Sequence, residues 1–229
     1  MELLEKFNGS KKSLTSFGSV EDMWGFSFSY VRNNKWDFIS ECWDVIKENR
    51  SKEPLTEEDF LPEYCFCVYV SGFKAEIIAN KFKALTEAHN IYDFEGNYIP
   101  STKDTLLEDP SIVYSVFKNK RKAKAVQTTR RLISELGWED FYSKYVKDRN
   151  PFQIMELDYM GPALSNHLAR NLGNWDIVKS DVHLNRLSLR YGFNTAEDLC
   201  GHISNFYYAR PLGFIDLILW VASAHNGTK

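Results

Sequence analysis

Apolar residues recur along this chain at intervals of three and four, the period of helices that bury one face. In KWDFISECWDVIKENR, 35–50, Trp36, Ile39, Trp43 and Ile46 share one side. In FKAEIIANKFKAL, 73–85, the stripe is Ala75, Ile78, Phe82 and Leu85. Thr56 precedes Glu57, Glu58 and Asp59, which offers a hydroxyl to the first helical amides and acids to the positive end of the dipole. The segment HNIYDFEGNYIPSTKD, 89–104, has glycine, proline and no sustained period, and predicts a loop. Helices resume around Pro110, and a basic stretch passes into RRLISELGW. Asn194-Thr195 starts another helix. Arg210-Pro211 breaks the chain before FIDLILWVASAH, where Phe214, Leu217, Ile218 and Val221 line one face. No repeat, low-complexity segment or strand pattern interrupts the series. The expectation is a compact all-α protein.

One pair of helices is unusual. Ile154 and Leu157 end a short helix, Tyr159-Met160-Gly161-Pro162 makes a tight turn, and the next helix carries Leu164, Leu168 and Leu172 before stopping at Gly173. Proline just inside a helix start and glycine just past its end are the expected terminators. This is a helix–hairpin–helix over 151–173, followed by a loop ending in Asp181 and a further helix, VHLNRLSL. Open backbone N–H groups at the start of the second helix form a natural phosphate site.

Composition narrows the class. A chain of 229 residues, 44% hydrophobic and 26% charged, buries a sizeable core as one large domain or two lobes. No apolar run reaches a membrane span, and MELLEKFNGSKK lacks the apolar segment of a signal peptide. Cys42, Cys65, Cys67 and Cys200 have no metal-ligand spacing, so reduced thiols in a cytosolic core are expected and a cysteine-held iron–sulfur cluster is excluded. The phosphate-loop, zinc-protease, zinc-deaminase and dinucleotide signatures are absent, so neither metal nor cofactor is expected. The net charge of −3 argues mildly against nucleic acid, yet KNKRKAKAVQTTRR, 118–131, holds seven basic residues and no acid. Two readings stand for that stretch, a solvated helix face and a nucleic-acid footprint.

The hairpin, with Asp181-x-His183-x-x-Arg186 behind it, resembles the helix–hairpin–helix DNA glycosylase superfamily, whose hairpin ends in a Gly-Pro-Asp-type loop. FLPEYCFCVYVSGFKAEIIANKF, 60–82, looks like the early helix pair of that family. PSIVYSVFKNKRKAKAVQTTRRLI, 110–133, resembles the next pair with its "N-x-R-K-A" string, and ARPLGFIDLILWVASAH, 209–225, the closing helix. The resemblance spans about residues 55–225 in family order. It implies a single glycosylase-like unit over 1–229 made of two helical lobes, about 55–175 and about 1–54 plus 176–229, with the active site in the cleft between them. Three departures matter. Leu157-Asp158-Tyr159-Met160-Gly161 stands where members carry L-P-G-x-G. Ala163 and Leu164 occupy the place of the lyase lysine. Val70-Ser71-Gly72-Phe73 replaces the turn that fills the space of the flipped base.

The resemblance implies roles. Asp181 is the candidate catalytic carboxylate, which stabilises positive charge developing on the sugar and orients the attacking water. Asp181 also suits a helix N-cap, and the two roles are compatible. His183 and Arg186 support it through an Asp-His-Arg hydrogen-bond network. Candidate DNA contacts are Met160, Gly161, Ala163, Lys179, Ser180, Lys120, Arg121 and Lys122, with Arg170 as a further cation. Trp24, Phe28, Tyr30, Tyr64 and Tyr69 are candidate walls for an extruded base, and Asp216 is a second candidate pocket acid. Phe73 is read either as core or as a wedge into the base stack.

Without the lysine no Schiff base with the sugar forms, so the expected enzyme is monofunctional and leaves an abasic site. The tryptophan- and phenylalanine-rich stretch 17–50, together with EEDFLPEYCFCVYVSGFK, is similar to the phage-associated branch described as α-glutamyl/putrescinyl thymidine pyrophosphorylases. That likeness implies a hypermodified pyrimidine, such as a glucosylated hydroxymethylated base, as substrate, and defence against phage in a prokaryotic cytosol or infected cell as setting. The expected partner is double-stranded DNA with a flipped base, with no membrane and no obligate protein partner. Three other classes stay open: a transferase that adds an amine-bearing group to a modified thymine, ordinary repair of a damaged base, and a catalytically silent DNA-binding module.

Overall fold

The computed structural model describes residues 12–109, 111–206 and 210–228. Met1–Lys11, Pro110, Tyr207–Ala209 and Lys229 lie outside the described residues, so the N-terminal reading and the first residue of the closing segment have no structural counterpart here, whereas the helix expected around Pro110 begins at Ser111. Among the described residues the chain is all helix and turn, and its only β feature is an isolated bridge between Tyr92 and Tyr98.

The contacts divide the chain into two compact units, 1–50 with 173–229, and 51–172. The first contains α1 (Val20–Asn34), α2 (Trp36–Ser51, which ends one residue past the boundary), α10 (Val182–Arg190), α11 (Ala196–Phe206) and α12 (Leu212–Asn226). Helix α12 is its axis, because α1, α10 and α11 all pack on it. Nearly every side chain of α12 from Phe214 to Leu219 is buried, in a core shared with Met23, Val31, Leu184 and Ile203. Helix α1 is an addition to the expected series. Its aromatic-rich stretch, interrupted by Gly25, hides a helical period in Met23, Trp24, Ser27 and Val31, which are buried together.

The second unit contains α3 (Glu57–Val70), α4 (Ala75–Ala88), α5 (Ser111–Val116), α6 (Lys120–Leu136), α7 (Trp138–Phe141) with a π turn after it (Tyr142–Val146), α8 (Pro151–Ile154) and α9 (Pro162–Asn171). Helices α4, α6 and α9 pack on α3. Helix α3 begins as its sequence requires. Thr56 accepts from the Asp59 amide, and Asp59 accepts from the Thr56 amide at 2.8 Å, which satisfies two orphan donors at once. Loop 89–105 is held from within. The guanidinium of Arg130, wholly buried, donates to the His89 carbonyl, to Ser101 Oγ at 3.1 Å and to the Ile99 carbonyl at 3.3 Å. Among the described residues no helix is long and apolar enough to cross a membrane.

Candidate functional site

The hairpin forms as the sequence indicates. Helix α8 starts with Pro151 after the Asn150 cap, and α9 starts with Pro162 after Gly161. Tyr159, at the position of the first glycine of the resembled motif, has a φ of +68°, a left-handed conformation that glycine normally supplies. A tyrosine there costs on the order of 1 kcal/mol of backbone strain. Two contacts hold the turn against it. Tyr64 Oη donates to the Asp158 carbonyl at 2.6 Å, and the Tyr159 ring lies beneath cations, 5.4 Å from the Arg121 guanidinium and 5.8 Å from Lys122 Nζ.

Gly161 itself has an ordinary extended backbone, φ −89° and ψ 175°, and a Cβ there would meet nothing within 4 Å. Its use is therefore openness rather than conformation. No side chain caps α9, and the N–H groups of Gly161 and Ala163 make no hydrogen bond among the described residues. Two backbone donors at the positive end of a ten-residue helix thus face solvent. Met160 does not join them: its side chain is buried and its amide donates to the Leu157 carbonyl.

Helix α6 divides its cations by face. Lys120, Arg121, Lys124 and Arg131, with Lys118 just before the helix, are exposed, at spacings that put the helical ones on one side. Lys122 and Arg130 point the other way and are buried. Lys122 is therefore not a DNA contact as expected. Its ammonium donates to the carbonyls of Tyr69 at 2.8 Å and Ser71 at 2.5 Å, and burial pulls its pKa down to about 8. The Phe73 ring packs edge-on against Phe117 and lies 4.7 Å from Lys122 Nζ, yet 44% of the residue is exposed, so Phe73 is not core. One end of this unit thus gathers the open hairpin, the head of a basic helix face and an exposed phenyl ring around one buried lysine.

Asp181 caps α10. Its Oδ1 accepts from the amides of His183 at 2.8 Å and Leu184 at 3.1 Å, and Oδ2 takes part in neither bond. The loop that carries it is tied down on three sides. Asp216 of α12 accepts the Lys179 amide at 2.9 Å, Ser180 Oγ donates to Glu197 of α11 at 2.7 Å, and Asn185 of α10 donates to the Ser180 carbonyl at 3.2 Å. Lys179 is 9% exposed with its ammonium over the Trp220 ring at 5.1 Å, so it is packed rather than offered to a ligand. Ser180 Oγ is likewise engaged, and Asp216, wholly buried, positions the loop instead of lining a pocket. The Asp-His-Arg network is not formed. The His183 ring bonds Thr228 at 3.2 Å and Arg186 is exposed with no hydrogen bond or ion pair among the described residues.

The expected base-pocket aromatics resolve into core. Tyr64 and Tyr69 are wholly buried. The Tyr64 hydroxyl is spent on the hairpin, and that of Tyr69 on His89 Nε2 at 2.9 Å. Trp24 is buried against Phe28, and Phe28 and Tyr30 are partly buried beside Trp36 and His225. Arg170 is also buried and is not a surface cation. Lys118, Lys124 and Arg131 were not singled out from the sequence, although the i, i+4, i+11 spacing of Lys120, Lys124 and Arg131 marks the exposed face. No group of three metal-ligating side chains occurs among the described residues. No family model, curated protein or solved structure gives a significant match to this chain.

Proposed function

We propose that this protein is a monofunctional DNA glycosylase that hydrolyses the N-glycosidic bond of a modified pyrimidine. The observation that carries the reading is the gathering, in the second unit, of two open hairpin N–H groups, the basic first turns of the exposed α6 face, with Lys120, Arg121 and Lys124, and the exposed Phe73 ring. These are the three surfaces that a distorted duplex requires: backbone donors for a phosphate, cations for its neighbours, and an apolar face for the gap in the stack. The reading assigns phosphate binding to these surfaces and sugar chemistry to Asp181.

In the reaction, the C1′–N bond breaks with its electron pair leaving on the base, and positive charge builds on the sugar. A water adds to C1′ and its proton passes to Asp181 Oδ2, the oxygen that the α10 cap does not use. The fixed loop supports this role, since a carboxylate held by three neighbouring helices needs little reorganisation. Ala163 and Leu164 supply no amine beside the hairpin, and the nearby Lys122 amine is buried and already donates to two carbonyls. Both features support hydrolysis without backbone cleavage. A hypermodified pyrimidine of phage DNA is the substrate class proposed, with defence as its setting.

A second reading has its own observation. The cap explains Asp181 completely as a structural residue, so the chain also suits a DNA-binding module without catalysis. One experiment separates them. The protein and its Asp181→Asn variant are incubated with duplexes bearing plain, lesion-bearing, hydroxymethylated and glucosylated pyrimidines, then treated with alkali. Abasic sites from the unchanged protein alone support the glycosylase, and the preferred duplex decides between defence and repair. A mass change of the base within intact DNA would indicate a transferase. Binding with neither change leaves the module.

A further inference from the structure

Lys122 occupies a place that its neighbours do not explain as surface charge. Among the described residues no carboxylate pairs with it, and its amine lies under three rings: Phe73 at 4.7 Å, Tyr159 at 5.8 Å and Phe117 at 6.0 Å. Its two acceptors are specific. The Tyr69 carbonyl belongs to the last turn of α3, where carbonyls lack intrahelical partners. The Ser71 carbonyl is the central one of the turn Val70-Ser71-Gly72-Phe73, which leads to α4. Ser71 has φ −58° and ψ 115°, Gly72 has φ +76°, and the Phe73 amide donates to the Val70 carbonyl at 3.0 Å. These are the features of a type II turn, which interconverts with type I by flipping the peptide between its two central residues. The Lys122 bond to Ser71 O holds that peptide in one orientation. A flip would swing the Ser71 carbonyl away and reset the backbone that aims Phe73.

We propose that Lys122 is a positioning residue that locks the α3–α4 turn in its type II form and so holds the Phe73 ring in fixed register with the hairpin. The ammonium bridges the two structures, because the same atom that takes the turn carbonyl lies against the Tyr159 ring, two residues before Gly161. As a wedge, Phe73 needs this lock. An apolar ring that enters a base stack does so productively only if the adjacent phosphate is gripped at a set distance. The consequence for DNA rests on the function proposed above, whereas the lock itself does not.

The test uses the full chain with Lys122→Met, Lys122→Arg and Phe73→Ala. The probe is a duplex with 2-aminopurine beside a hydroxymethylated pyrimidine, which brightens on unstacking. Lys122→Met should bind this duplex within about threefold of the unchanged protein, because Lys120, Arg121 and Lys124 remain. It should nevertheless lose most of the fluorescence rise, as Phe73→Ala does, and Lys122→Arg should restore it. In the free protein, 4-fluorophenylalanine placed at Phe73 should give one fluorine resonance, and in Lys122→Met two or a broadened one. Should Lys122→Met fail to fold, Gly72→Ala takes its place: a Cβ there meets no atom within 4 Å, so the change acts on the turn alone. That variant should show the same divided resonance and the same loss of fluorescence. A single unshifted resonance with Lys122 removed or Gly72 replaced overturns the proposal. Absence of duplex binding by the unchanged protein would remove the proposed function, while the fluorine comparison would still decide the lock.

Discussion

Helices α9 and α10 begin twenty residues apart in the chain and treat their first amides in opposite ways. At α9 the cap position is Gly161, no side chain accepts from the first amides, and the N–H groups of Gly161 and Ala163 stay open. At α10 the cap is Asp181, which takes two amides through one oxygen. Both ends carry the same positive partial charge. One leaves it open and the other uses it to fix a carboxylate of the chain's own. A helix N-terminus is thus not in itself a phosphate site. The residue at the cap decides whether the site is left open or filled from within.

The most severe break in that contrast is at Asp181. Asparagine caps as well as aspartate, so Asp181→Asn should leave the melting temperature nearly unchanged while base release falls about a hundredfold or more. Asp181→Ala should lose the same activity and in addition ~1 kcal/mol of stability, read by denaturant melting. Equal activity of all three proteins would reduce Asp181 to a cap. Next in size is the reverse change, Gly161→Asp, which gives α9 the cap of α10. A Cβ at this position meets nothing within 4 Å. Stability should rise by a few tenths of a kcal/mol while duplex affinity drops about tenfold, ~1.4 kcal/mol. An affinity that stays level in titrations at fixed salt would remove the hairpin from the interface.

The two faces of α6 sharpen the comparison further. Neutralising Lys120, Arg121 or Lys124 singly should each flatten the log–log salt dependence of binding by about 0.9. Alanine at Thr128, exposed on the same face but uncharged, should leave the slope alone. The pH effects concern the second unit's interior. Burial lowers the His89 pKa to about 3 from 6.5, with the Arg130 charge acting in the same direction. Between those pH values the unfolded imidazole takes a proton that the folded one does not. Stability therefore falls as pH drops through that window, and His89→Gln should shrink the decline seen in melting curves. Lys122 is expected to act weakly at the alkaline end. Between about 8 and 10.5 the unfolded amine holds a proton that the folded one has lost, so stability rises with pH there. Lys122→Met should level that rise.

Much of the architecture was readable without coordinates because the signals are local. The Thr56 capping box, the proline that opens α9 and the periodic stripes of α2, α4 and α12 each depend on residues within one or two turns. Helix α1 escaped because aromatic residues crowd both its faces and blur the period. Gly173 shows the limit of local reading. It is legible as a stop after α9, but a Cβ there would lie 2.5 Å from the Arg50 amide nitrogen, a constraint set by a residue over a hundred positions away.

The candidate site divides the same way. Sequence alone determined that 151–173 is a hairpin opened by proline, that Asp181 precedes a helix it can cap, and that no amine stands at Ala163 or Leu164. Those facts follow from backbone sterics and from side-chain identity. Only the tertiary structure decided which of seven adjacent cations face solvent, that Lys179 lies over Trp220, that Tyr64 and Tyr69 spend their hydroxyls inside, and that Phe73 stays exposed. Burial is the reason. Whether a lysine is a ligand for phosphate or a clamp on two carbonyls depends on what packs around it, and no window of sequence contains those neighbours.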